Sequence, residues 1–365
     1  MLYRKLARPI LFRMDPERAH RLIVHGLGRA AGVPGVLPLM RSFWDTAPDP
    51  RLETELFGIR FRHPVGLAAG LDKDAVAVEG FAGMGLAFLE VGTVTPVGQP
   101  GNARPRLFRL PEDEALINRM GFNNEGAEAM AGRLARLKTR RVPIAVNIGK
   151  NKATPNGKAA DDYRACLRAL YPYGDFFVIN ISSPNTPDLR KLQHGEELKG
   201  LLAAVREEIA AQALKAGGHP KPVVVKIAPD MTEAELEQTV GILADGGADG
   251  IIATNTTLSR EGLKSPNRSQ QGGLSGRPLA ARSTEVIRVI WRLTGGKLPI
   301  IGSGGIFDGR DAYDKIRAGA SLVEIYTSLI YRGPGVVRRI AAELSELLSR
   351  DGFRRIGDAV GADHR

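Results

Sequence analysis

Asn180-Ile181-Ser182-Ser183-Pro184-Asn185 sets two amides and two hydroxyls within six residues, at the end of an apolar run. Asparagines can match the alternating donors and acceptors of a planar, amide-rich ligand, and a serine in a polar setting can take up a proton. Comparable sets follow seven other apolar runs: Gly70-Leu71-Asp72-Lys73, Gly92-Thr93, Asn147 with Gly149-Lys150-Asn151, Lys226, Thr254-Asn255-Thr256-Thr257, Gly302-Ser303-Gly304-Gly305 and Tyr326-Thr327-Ser328. One lysine or asparagine at such a place is ordinarily a structural cap. Eight sets with three lysines, several asparagines and glycine openings point instead to one shared ligand site.

The glycines suggest what is held there. Gly302, Gly304 and Gly305, with Thr327 and Ser328, let backbone N–H groups approach an anion. No Gly-Lys-Ser/Thr follows a glycine-rich loop, and Gly302-x-Gly304 lacks a third glycine, so neither a P-loop nor a dinucleotide fingerprint fits. A mononucleotide such as a flavin suits the pattern better than ATP or NAD. The six histidines (His20, His25, His63, His194, His219, His364) have no ligand spacing, so no metal is expected. The single cysteine, Cys166, excludes an internal disulfide and reads as a buried, inert thiol in a reducing compartment.

Those sets need a scaffold. Eight short apolar runs (65–69, 86–91, 143–148, 176–181, 223–227, 250–254, 299–302 and 322–326) alternate with helical periods at 123–138, 159–171, 196–214, 232–245, 278–293, 308–318 and 335–349. Continuous apolar runs mark strands buried on both faces, as in a parallel sheet covered by helices. Eight such units predict a closed (β/α)8 TIM barrel with its site at the carboxyl ends of the strands. An open doubly wound sheet is the alternative. The segments 92–115 and 256–277 read as long loops of the kind that form lids.

The 365 residues, 43% hydrophobic, carry 51 Lys+Arg against 40 Asp+Glu, a formal charge of +11. More than half of that excess lies in residues 1–44, where eight basic side chains face only Asp15 and Glu17. Apolar residues (Leu2, Tyr3, Leu6, Ile10, Leu11, Phe12) are interleaved with these charges, too often interrupted for a secretory or spanning segment. Asp15-Pro16-Glu17 predicts a helix start, with Ala19, Leu22, Ile23 and Leu27 on one side of the helix and a break at Gly32–Pro38. The expected organisation is a two-helix amphipathic arm, 1–44, ahead of a barrel domain, 45–365. Such an arm either packs on the barrel or lies in a membrane interface, and its arginines favour the latter.

Taken together, Ala69–Lys73, Val91–Pro96, Arg104–Arg109, Ile117–Asn123, Asn180–Thr186 and Gly272–Gly276, with Asp15–His20 in the arm, resemble the class 2 dihydroorotate dehydrogenases over nearly the whole chain. The resemblance implies an FMN barrel that oxidises dihydroorotate to orotate in pyrimidine (UMP) biosynthesis and passes the electrons to a membrane quinone. It assigns FMN contacts to Ala69, Gly70, Leu71, Asp72, Lys73, Thr93, Asn147, Asn180, Lys226, Thr254, Gly276, Gly305, Tyr326 and Thr327. Dihydroorotate contacts fall on Lys73, Asn118, Arg119, Met120, Gly121, Phe122, Asn180, Asn185, Asn255 and Thr256. Ser183 matches the catalytic base, where soluble class 1 members carry cysteine. His20 and Arg109 would line the quinone passage, with Tyr326 between Arg109 and the flavin. Asp74 departs from the family's usual asparagine and adjoins Lys73. The resemblance further implies a peripheral protein on an anionic lipid surface, at the cytoplasmic face of a bacterial inner membrane.

The chemistry agrees with these assignments. A lysine balances the carboxylate of dihydroorotate, and Lys226 is suited to an anionic reduced flavin. Two other readings remain: a flavin barrel acting on a pyrimidine in RNA, and a phosphate-binding barrel without catalysis. The concentration of charge on an apolar-interleaved arm, with no long basic stripe of stacking aromatics, argues against nucleic acid as a partner.

Overall fold

In seven of the eight barrel strands every residue is buried, which is why the corresponding sequence runs are apolar without alternation. The computed structural model describes residues 3–365. The strands are β1 (Val65–Leu67), β2 (Leu89–Val94), β3 (Ile144–Ile148), β4 (Phe176–Asn180), β5 (Val223–Ile227), β6 (Gly250–Ala253), β7 (Ile300–Ser303) and β8 (Ala320–Ile325). Each runs parallel to the next, and β8 pairs back onto β1 with Val323 opposite Val65, so the sheet closes and the open alternative falls away. A hairpin, Thr54–Leu56 with Ile59–Phe61, plugs the amino-terminal end; Phe61 packs edge-on against Phe88 at 5.5 Å between centroids.

The segments expected as loops carry strands. Leu107–Leu110, Ala115–Asn118 and Gly273–Gly276 form a three-stranded antiparallel sheet, and Val97–Gln99 pairs with Asn124–Gly126. Together they make a lid at the carboxyl end of the barrel.

The arm is longer in helix than its sequence indicated. It comprises a wide turn, Tyr3–Ala7, then α1 (Arg8–Arg13), α2 (Pro16–Ala31) and α3 (Val36–Trp44). The start of the third helix overlaps the break expected at Gly32–Pro38. Pro38, however, is the third residue of α3, where a backbone N–H would have no helical partner anyway. As expected, Asp15 caps α2, accepting the Arg18 N–H at 2.8 Å. Glu17, in the first turn of α2, is 6% exposed and ion-paired with Arg106 at 2.8 Å and Arg104 at 2.9 Å, clamping the arm to the lid.

Close packing of α2 on the barrel depends on glycine: a Cβ at Gly80 would lie 2.4 Å from Leu27 Cγ, and one at Gly28 2.4 Å from the Val76 carbonyl oxygen. Ala19, Val24 and Leu27 are buried there, whereas Leu22 and Ile23, expected on the same face, are exposed. Of the eleven large apolar side chains exposed among the described residues, seven belong to the arm: Leu6, Ile10, Leu22, Ile23, Val33, Leu39 and Phe43. Among the described residues no single helix is long and apolar enough to cross a membrane, and α2 and α3 meet at 116°.

Candidate active site

The carboxyl ends of the strands and the underside of the lid enclose a cleft of about 150 Å³. β1 and the turn after it contribute Ala69, Gly70 and Lys73; β2 gives Thr93; the end of β4 and its loop give Asn180, Ser183 and Asn185; β5 gives Lys226. Thr254, Asn255 and Thr256 follow β6, Gly305 follows β7, Tyr326 and Thr327 follow β8, and the lid adds Asn118, Met120, Gly121, Phe122 and Gly276. Ser275, Ser303, Gly304, Phe307, Glu324 and Ser328 also line it, although the resemblance assigned them no contact.

Four of the assigned residues do not line this cleft. The Asp72 carboxylate turns back to accept the Val76 and Ala77 N–H groups at 2.7 and 2.8 Å, and burial pushes it up to about 6. Leu71 faces a second, apolar cavity. Asn147 lies one layer deeper, donating to Glu90 at 2.6 Å and accepting from Asn180 at 3.2 Å. The Arg119 guanidinium stacks over Phe108 at 4.6 Å and donates to Gln270 at 3.0 Å, outside the cleft.

On one side of the cleft the amides brace one another. Asn185 donates to Asn118 at 3.2 Å, Asn180 to Thr93 at 2.8 Å, and Asn255 to Ser182 at 3.0 Å. Ser183 is 6% exposed, and its Oγ accepts the Asn185 N–H at 3.3 Å. Lys73 donates to Asn123 at 2.5 Å; burial, reinforced by the charge of Arg106, brings its ammonium down to about 7. Asp74 accepts the Glu125 N–H at 2.8 Å, fixing the turn to the lid.

The opposite side is an anion cradle. Gly276, Gly304 and Gly305 have φ of 105°, 121° and 74°, and a Cβ at Gly305 would lie 2.4 Å from the Ala280 Cβ. Only glycine meets both demands. Ser328 Oγ is buried with no hydrogen-bond partner, which suits it to a ligand oxygen. The cradle, this unpaired hydroxyl and the deep lysine below fit a mononucleotide with a phosphate at one end and an anion-forming ring at the other.

Beneath the cleft, Lys226 is 5% exposed and bonds Glu90 at 2.6 Å and Glu324 at 3.5 Å. Neither acid stood out in the sequence, since each is a single charge inside an apolar run. Lys226→Ala is expected to cost roughly 3–5 kcal/mol, because it leaves the buried Glu90 carboxylate without its cation. Equilibrium denaturant unfolding measures this; an unchanged midpoint would show that Lys226 stabilises nothing.

The apolar cavity, about 130 Å³, lies between arm and barrel. His20 and Arg109 both line it, together with Phe12, Ala19, Ile23, Leu71, Leu107 and Leu329. Burial lowers His20 to about 4, so its imidazole is neutral at pH 7. Arg109 donates to the Met14 carbonyl at 2.7 Å and sits over the Phe12 ring at 4.7 Å. Tyr326 lines both this cavity and the cleft.

A cradle after β7 and β8, with a buried lysine suited to a reduced, anionic ring, places the fold among flavin-dependent (β/α)8 oxidoreductases. The chain belongs to the dihydroorotate dehydrogenase family, whose model matches residues 51–348. It is 56% identical to a dihydroorotate dehydrogenase (quinone) of Deinococcus radiodurans, over 97% of this chain and 98% of that one. A relative of the same name from Anaeromyxobacter dehalogenans is 52% identical over 98% and 96% of the two chains. Among solved structures, the ligand-free DHODH of Eimeria tenella superposes with a TM-score of 0.87 at 43% identity, covering 96% of this chain and all of that one. The same organism's DHODH in complex with ferulenol gives 0.86 at 41%, with 96% of each chain covered.

Proposed function

We propose that this chain oxidises dihydroorotate to orotate in the polar cleft, with FMN as cofactor, and delivers the electrons to a quinone in the apolar cavity, as a step of pyrimidine synthesis. The observation that carries this reading is Tyr326, a single side chain walling both a polar and an apolar chamber. Two chambers that share this side chain, one carrying amides, hydroxyls and lysines and the other almost wholly apolar, suit two half-reactions whose reactants never meet.

FMN, when bound, supplies the hydride-accepting ring. Ala69, Gly70, Thr93, Asn180, Lys226, Thr254 and Tyr326 would hold its ring system and sugar chain, and Gly276, Gly304, Gly305, Thr327 and Ser328 its phosphate. Asn118, Asn180, Asn185 and Asn255 present amide groups to the ring of dihydroorotate, with Lys73 for its carboxylate. Ser183 takes the proton from the substrate carbon. A lone serine is a weak base, so its own proton must pass to a polar neighbour or water. Water is limited by the lid, held down by the Glu17–Arg106 pair.

The reading is tested by mixing the protein anaerobically with dihydroorotate, which should bleach the flavin, and then adding quinone, which should restore the colour. Retention of the oxidised spectrum would overturn it. Lys73 adds a pH signature. Below about 7 it carries the charge a carboxylate needs, and above about 7 the free protein loses that charge. Apparent affinity for dihydroorotate should therefore fall up to about tenfold per pH unit above that point, with kcat less affected because the bound anion keeps the proton on. A flat affinity profile would remove Lys73 from carboxylate binding.

The arm, residues 3–44, serves in this proposal as quinone entrance and membrane dock. Its exposed apolar side chains, interleaved with Arg4, Arg8, Arg18, Arg21 and Arg29, suit an anionic leaflet and hence peripheral attachment at the cytoplasmic face of a bacterial inner membrane. Neutral His20 and the guanidinium of Arg109 then offer hydrogen bonds to quinone oxygens within apolar walls.

A further inference from the structure

Three ionisable side chains meet under the cleft, from strands that are not neighbours: Glu90 on β2, Lys226 on β5 and Glu324 on β8. The two carboxyl groups are fully buried and share one cation, Lys226, at 2.6 and 3.5 Å; one ammonium compensates only one buried carboxylate, so the two are not both ionised. The donors decide which one is the anion. Glu90 receives three N–H groups: Lys226 at 2.6 Å, Asn147 at 2.6 Å and the Ala69 backbone at 2.7 Å. Glu324 receives only a long contact from Lys226 at 3.5 Å, and its Oε1 is buried with no partner. Across its own strand neighbours, Glu324 stands opposite Gly66 on β1 and Ser303 on β7, neither of which carries a charge.

We infer that Glu324 is a positioning residue that works as a neutral carboxylic acid: it leaves Glu90 as the one anion of the group, holds Lys226 toward the cleft, and keeps its second oxygen unpaired in the cleft lining. The inference rests on the FMN reading for its redox consequence only. With Glu324 neutral, Glu90 and Lys226 cancel and the floor has no net charge. With Glu324 ionised, the floor would be an uncompensated anion beneath a ring that gains negative charge on reduction, opposing the reaction the site serves. Burial and the Glu90 carboxylate both push Glu324 well above the ordinary carboxylate range, in the direction the donor count requires.

The test uses the intact holoenzyme at neutral pH. Infrared difference spectra between parent and Glu324→Gln should show a protonated-carboxyl C=O band, shifted in D₂O, that the variant has lost. Glu90→Gln should lose it too, because Glu324 then becomes the only counter-anion for Lys226 and ionises. The second readout is the flavin midpoint potential. Glu324→Gln, neutral for neutral, should leave it and its pH dependence unchanged, whereas Glu324→Ala should shift it by freeing Lys226, with Gln rescuing what Ala loses. No protonated-carboxyl band in the parent, or a rise in potential on Glu324→Gln, would show Glu324 to be an anion and overturn the inference. The infrared result is independent of turnover, so it stands or falls apart from the dihydroorotate assignment. If Glu324→Ala loses flavin, the infrared comparison of parent and Glu324→Gln still decides.

Discussion

Ser183→Ala is expected to retain flavin and bind orotate, yet to be bleached by dihydroorotate about 10²–10⁴-fold more slowly than the parent, the usual contribution of a positioned base. The site makes this a clean experiment. Ser183 Oγ accepts one N–H at 3.3 Å and braces no other side chain, so deleting it leaves the amide scaffold in place. Ser182 is the control. It does not line the cleft, and its Oγ accepts from Asn255 at 3.0 Å, so Ser182→Ala should act through the orientation of Asn255 and raise KM more than it lowers the bleaching rate. Ser183→Cys, which carries the residue found in class 1 relatives by resemblance, should keep part of the rate and move its pH dependence toward that of a thiol. Stopped-flow absorbance under anaerobic conditions reads all three. Bleaching of Ser183→Ala at nearly the parent rate would assign the proton to another acceptor.

The barrel was legible because runs such as Gly250–Ala253 are apolar on consecutive residues, a pattern that strands buried on both faces require. The site was legible for a related reason: the carboxyl end of each strand is where polar residues become affordable, so Asn180, Lys226 and Thr254 stand out against apolar runs. The lid strands escaped notice, because pieces as short as Val97–Gln99 with mixed polarity carry no period to detect. Long-range partners escaped for a different reason. Glu17 finds Arg106 across 89 positions, and Lys226 finds Glu90 across 136 and Glu324 across 98. Each pairing exists only once the arm has docked or the barrel has closed, so no local spacing announces it. Asp72 misled in the opposite sense: it sits in the right motif, but its carboxylate is taken up by the backbone of its own turn.

Removing the arm wholesale would be a poor test of docking, since the structure ties it to the body. Deletion would strip Val24, Leu27 and Met40 from the core and leave Arg106 buried without Glu17. Acidic replacement of exposed apolar side chains separates the functions instead. Leu22 and Phe43 are 57% and 64% exposed, and neither lines the apolar cavity. Each would gain roughly 1.5–3 kcal/mol on entering lipid, and an acidic replacement adds repulsion from an anionic leaflet of about 1 kcal/mol per charge. Leu22→Glu combined with Phe43→Glu is therefore expected to lower partition onto anionic vesicles by more than about 10²-fold. Bleaching by dihydroorotate, and turnover with a short water-soluble quinone, should match the parent, because cleft and cavity are untouched. Turnover with a long-chain quinone embedded in vesicles should fall along with binding. Sedimentation with vesicles and the two quinone assays measure these effects on one preparation. If the double variant binds vesicles and reduces the embedded quinone as well as the parent does, the exposed apolar side chains of the arm only cover the barrel, and quinone reaches Tyr326 by another route.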